Sequence, residues 1–191
     1  CYFKGTVVGH EGTRQAIVAS DATKVKDRYK SSVPKEYALM KRFKFRPPTI
    51  TLTRDLTIYL GDHTFKLMNL PGHTPYQTAV YIPEEKVIFT SDNIFYKEAP
   101  WLQQAMPYDW LESIHKMQNL EIDVVVPGHG EVCDASYFPE MHACIQEWID
   151  TVKDTIKQGV SLEDAINKIH ILDRYNLSPE MCKMLLRMNV G

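Results

Sequence analysis

A layered α/β fold, with helices packed on sheet, is predicted by three observations. Short apolar runs of strand period alternate with segments of helical period over residues 6–133. Ligand-type side chains stand just past three of those runs: His73 in Pro71-Gly72-His73-Thr74, Asp92 in Phe89-Thr90-Ser91-Asp92-Asn93, and His129 in Val126-Pro127-Gly128-His129-Gly130. From Phe138 onward the pattern is helical. At 191 residues and 44% apolar, the chain is long enough for one substantial core, so a single domain over 1–191 is expected, with a helical extension over about 137–191.

In order, Thr6–Gly9 reads as a short strand and Glu11–Ser20 as a helix. Between Lys24 and Arg46 lie nine basic and two acidic residues, and Tyr29, Val33, Tyr37 and Met40 recur there at helical spacing. Pro47-Pro48 ends any helix, because proline lacks the amide donor and constrains the residue before it. Ile50, Leu52, Leu56, Ile58 and Leu60 alternate with polar residues as in a half-buried strand pair; Gly61-Asp62 is a turn, and Phe65 and Leu67 carry the pattern to Leu70. Thr78–Ile82 and Lys86–Thr90 form the next pair. Tyr108–Leu120 has helical period, and Asp123–Val126 is a short buried strand leading to His129. Phe138–Gly159 is an amphipathic helix ended by glycine; Ser161-Leu162-Glu163-Asp164 is a capping box, and Ser178-Pro179-Glu180 a cap with proline at the first helical position.

Composition narrows the function classes. A net charge of −2 gives no overall pull toward nucleic acid or membrane, and no run reaches the roughly 18 apolar residues of a spanning helix. The basic stretch is therefore expected to be a solvated face. The four cysteines (Cys1, Cys133, Cys144, Cys182) are scattered without a CxxC pair, which fits a reducing, cytoplasmic location and burial as thiols. Cys133 follows His129 closely and is read as a packing thiol. His63, His115, His142 and His170 lie inside strand or helix patterns and are read as non-ligands. Of Tyr96, Trp101 and Trp110, which follow Asp92, one is a candidate for lining a cleft, with packing against the sheet the equal alternative.

The three histidine and aspartate segments, with spacings of 19 and 37 residues and these flanks, resemble the metallo-β-lactamase superfamily from about Phe3 to Val132. Thr6-Val7-Val8-Gly9-His10-Glu11-Gly12-Thr13-Arg14 is similar to the family's segment downstream of its first ligand cluster, where His10 is not a ligand. The resemblance implies an αββα sandwich and a metal-dependent hydrolase with two zinc ions. His73 would serve one ion, His129 the other, and Asp92 would bridge them. A hydroxide between the ions would attack a small ester, thioester, lactone or amide. Iron or manganese would suit the same donors. Aspartate rather than cysteine at 92 resembles the glyoxalase II-like and lactonase-like branches.

The family's His-x-His-x-Asp-His cluster occurs nowhere in the 191 residues, and the chain opens at Cys1 almost directly into the following strand. The expectation is a C-terminal portion of a longer protein, N-terminally incomplete as a domain, with weak or no metal binding and no activity by itself for lack of that cluster. One sheet face would then be uncovered and promote self-association into a homo-oligomer. Small-molecule substrate, without nucleic acid or membrane, is the expected partner. Two alternatives remain: an iron-dependent oxidoreductase of the same fold, and a metal-free binding or assembly module.

Overall fold

A computed structural model describes residues 4–190, so Cys1 lies outside the described residues. Two units are distinguished by their internal contacts, one ending at Arg54 and the other beginning at Asp55.

In the first unit, β1 (Val8–His10) pairs in parallel with β2 (Ile50–Leu52). Helix α1 (Glu11–Ala19) starts at His10, whose ring Nδ1 accepts from the Gly12 amide at 3.0 Å. His10 therefore serves as a helix cap, satisfying one of the amides the first turn leaves without an intrahelical partner. The basic stretch folds as α2 (Ala22–Ser32), capped by Asp21, then α3 (Pro34–Tyr37) and a 3-10 turn over Ala38–Arg42. The spacing from Tyr29 to Met40 predicts one amphipathic segment; Pro34 divides it, since its ring cannot donate to the preceding turn. Helix α2 buries no residue, and Tyr29 is exposed.

The second unit holds a five-stranded sheet in sequence order: β3 (Leu56–Leu60), β4 (His63–Asn69), β5 (Thr78–Ile82), β6 (Val87–Phe95) and β7 (Val124–His129). The first three pairings are antiparallel and β6–β7 is parallel. A parallel pair needs a crossover, supplied here by α4 (Pro107–Gln118). The long alternating run from Ile50 is split: Ile50 and Leu52 belong to the first unit's sheet, and only Leu56 onward joins this one. Asp55 marks the break, its carboxylate accepting from the Asn69 amide at 3.0 Å beside the first β3–β4 pairing.

One face of this sheet is covered by α4 and α5 (Phe138–Lys157). Ala79, Tyr81, Ile88 and Val125 pack there with Trp110, Ile114, Met117, Phe138, Met141 and Ile145. The opposite face carries Leu56, Ile58, Phe65, Leu67, Val80, Phe89 and Val126, by the two-residue alternation of strands. Of these only Leu67 is buried, and Phe89 is 44% exposed. A second core gathers Trp148 of α5 with α6 (Leu162–Lys168) and α7 (Pro179–Val190) through Ala165, Ile166, Leu172, Leu185 and Leu186. The caps follow the expected chemistry: Ser161 Oγ accepts from the Asp164 amide, and Ser178 Oγ from the Met181 amide.

Candidate metal centre

Topology brings the three candidate ligands to one edge. Strand β4 is antiparallel to β5, and β5 to β6, so β4 runs the same way as β6 and β7. The C-terminal ends of these three strands share one side of the sheet, the usual place for a site in an open α/β layer. His73 lies four residues beyond β4, His129 ends β7, and Asp92 projects from the last part of β6. The apolar run predicts a strand ending at Thr90, yet β6 continues to Phe95 past an irregularity at Ser91, whose φ is +51°. Such a residue breaks the alternation and re-aims the next side chain.

The geometry is paired. Asp92 Oδ2 lies 3.8 Å from His73 Nε2, and Asp92 Oδ1 lies 3.7 Å from His129 Nε2. Each carboxylate oxygen faces its own imidazole. Two donors on one tetrahedral zinc ion at the usual bond lengths stand about 3.3 Å apart, so each pair is a few tenths of an ångström wider than a metal-closed pair. No group of three or more histidine, cysteine, aspartate or glutamate side chains closes around one ion among the described residues. What the described residues present is two imidazole–carboxylate pairs that share Asp92.

Close packing supports each candidate ligand. A Cβ at Gly128 would collide with Asp92 Oδ1 and lie 2.7 Å from the Asp92 amide nitrogen, so only glycine lets β7 approach the carboxylate. At Gly72 it would collide with Asn93 Oδ1 and lie 2.9 Å from the Trp110 ring. Asn93 is fully buried: its Oδ1 accepts from the His73 amide at 3.1 Å, and its Nδ2 donates to the Leu70 carbonyl at 2.7 Å. Trp110 Nε1 donates to the Asn93 carbonyl at 2.9 Å, and its ring meets His73 edge-on. His73 Nδ1 lies 2.7 Å from the Trp101 carbonyl; a carbonyl only accepts, so in the neutral ring this bond places the proton on Nδ1 and the lone pair on Nε2. His129 stacks on Phe95, with ring centres 4.5 Å apart and planes 6° from parallel, and its Nδ1 is 3.9 Å from Glu98 Oε2.

Beside this edge opens a cavity of about 340 Å³, lined by Lys97, Glu98, Trp101, Tyr175, Asn176 and Met181 among others. Lys97 sits 4.9 Å above the Tyr96 ring, and its ammonium is held above its ordinary pKa first by its bond to Tyr96. Burial pushes the Tyr175 phenol well above its usual value, so it stays protonated. Of the three aromatics, Trp101 lines the cavity, whereas Trp110 is wholly buried and Tyr96 packs on Tyr137. Burial also raises the Cys133 thiol pKa, and its backbone bridges to Val125. His63 is bound to Asp62 and Glu85, and His170 to Asp173, away from the edge. Sequence reasoning missed Glu98, Asn93 and the Trp101 carbonyl. An asparagine directly after the candidate aspartate was the only local sign of the second.

Comparison with known proteins agrees with this architecture. The family model described as metallo-beta-lactamase superfamily matches residues 5–129. The hydroxyacylglutathione hydrolase of Brucella anthropi is 27% identical over 129 residues, 64% of this chain and 46% of that protein. That of Bartonella quintana is 30% identical over 69 residues, 36% of this chain and 27% of that protein. The chain spans less than half the length of the curated relatives it matches. Among solved structures, a metallo-beta-lactamase family protein from Thermus thermophilus has a TM-score of 0.64 at 16% identity, covering 97% of this chain and 65% of that one. An archaeal superfamily protein from Sulfolobus tokodaii has a TM-score of 0.53 at 16% identity, covering 77% and 59%. With residues 5–129 of its 191 matched by the family model and its sheet and helices arranged as described, the chain belongs to the metallo-beta-lactamase superfamily.

Proposed function

We propose that this chain carries part of the active site of a zinc-dependent hydrolase acting on a small ester, thioester, lactone or amide. The single observation that supports this best is the split aspartate, with one Asp92 oxygen 3.8 Å from His73 and the other 3.7 Å from His129. The hydroxyacylglutathione hydrolases among its relatives favour the thioester within that set. His73 and His129 would each hold one ion, with Asp92 between them. Bound zinc supplies Lewis acidity and lowers the pKa of a coordinated water. The chain's own residues orient the donors, keep His73 Nε2 free for coordination, and shape the cavity beside them. Three donors fall well short of the roughly four that each zinc ion takes, so binding by these 191 residues alone is expected to be weak.

Zinc content and thioester hydrolysis of the native protein test the reading. Two equivalents of zinc, with turnover at least about 100-fold lower in His73→Ala and Asp92→Asn, are expected. Unchanged turnover in both variants removes the site. Iron in place of zinc would favour the oxidoreductase alternative, and a native protein with neither metal the binding-module one.

A further inference from the structure

We infer that Asn189, in the last turn of α7, is a positioning residue for His73, acting through the peptide between Trp101 and Leu102. The purpose of this arrangement rests on the metal-centre reading above; its geometry does not. Asn189 Oδ1 accepts from the Leu102 amide at 2.8 Å, and Asn189 Nδ2 donates to the Pro100 carbonyl at 3.1 Å. The Leu102 N–H and the Trp101 C=O belong to one peptide unit, which is planar and points them in opposite directions. On one side that plane is held by Asn189, and on the other its oxygen lies 2.7 Å from His73 Nδ1.

The result is a continuous chain: Asn189 Oδ1, the Leu102 N–H, the Trp101 carbonyl, the His73 Nδ1–H. Each bond polarises the next, and a peptide fixed at its nitrogen offers its oxygen in one direction only. The second bond, to Pro100, clamps the peptide on the other side of Trp101. Residues 96–106 form no helix or strand, so their backbone gains this order from outside. Asn189 is well placed to give it, because α7 is anchored in the second core by Leu185 and Leu186. Through this relay the C-terminal helix sets which nitrogen of His73 carries the proton and which faces Asp92.

The decisive measurement is the ring-nitrogen NMR spectrum of His73 in the metal-free chain, at a pH where the imidazole is neutral. The wild type is expected to show one tautomer, protonated at Nδ1. Asn189→Ala should give a mixture of tautomers and about 10-fold weaker zinc affinity. Asn189→Asp, which keeps an acceptor for Leu102 but loses the donor to Pro100, should fall between. Met184→Ala, at an exposed position of the same helix, leaves the anchor and the relay in place and should leave the tautomer unchanged. A single Nδ1–H tautomer in Asn189→Ala, or an equal disturbance in Met184→Ala, overturns the assignment. Should the alanine variant not fold, hydrogen exchange in the wild type decides: slow exchange of the Leu102 amide supports the bond, and exchange at the unprotected rate overturns it. A tautomer change in Asn189→Ala together with a native protein that carries no metal would sink the metal reading and leave the relay standing.

Discussion

The two imidazoles at the sheet edge are held by different physics. His73 is fixed by direction: its ring nitrogen bonds a carbonyl, its amide bonds a buried asparagine, and a buried indole meets its ring edge-on. His129 is fixed by contact: its ring lies flat on Phe95, with Glu98 at a distance of 3.9 Å. The side chains are 20% and 48% exposed respectively. A hydrogen bond sets both the angle and the proton of a ring, whereas stacking leaves it able to slide. One half of the centre is therefore pre-oriented, and the other can adjust.

Removing the device that most separates the two halves should have the largest effect. Asn93→Ala leaves the His73 amide and the Leu70 carbonyl without their partners in a buried place, at about 1–3 kcal/mol each. A loss of about 2–4 kcal/mol in denaturant unfolding is expected; a loss below about 1 kcal/mol would show that the His73 side is not held as described. Gly128→Ala comes next, because its methyl group must displace the Asp92 carboxylate or the β6 backbone. Destabilisation of about 1–3 kcal/mol is expected, together with loss of zinc binding at both halves, measured by unfolding and metal titration.

Phe95→Leu tests chiefly the looser half, since Phe95 stacks flat on the His129 ring and meets the His73 ring only obliquely, with centres 5.6 Å apart. It removes the stacking partner of His129 and part of the core, at about 1–2 kcal/mol, and should weaken zinc binding only a few fold, since that ring can already adjust. A loss of binding as deep as that of Gly128→Ala would abolish the contrast. The smallest effect lies outside the centre, at the β3–β4 hairpin. His63 has its pKa raised above 6.5, first by its bond to Glu85 and then by Asp62. A group raised in the folded state stabilises it below the unfolded value and loses that contribution as pH rises through the folded one. His63→Gln should therefore lower the Tm slightly below about pH 6 and have no effect well above the raised value, as paired melting curves would show.

Much of this protein is legible in its residue order. Pro71-Gly72-His73 and Pro127-Gly128-His129 each end a strand-like run, and turn chemistry is local. Helix α5 ends at Lys157 with Gly159 following at φ +64°, as its position predicts. Other features had no local mark. The continuation of β6 past Thr90 and the Ser91 irregularity that turns Asp92 have no sign in the local residues, because a bulge depends on register with neighbouring strands. Ile50 and Leu52 alternate like Leu56 and Ile58, and their partner is decided by pairing rather than period.

Residue order alone specified the kinds of element, where they turn, and which side chains stand at the rims of strands, since these follow from periodicity and short-range sterics. The fold alone specified how those side chains are braced. Asn189 meets the Trp101 peptide across 87 residues, and Asn93 meets Leu70 and His73 across 23 and 20. Such bonds form between groups that share no neighbourhood along the chain, so no window of sequence contains them.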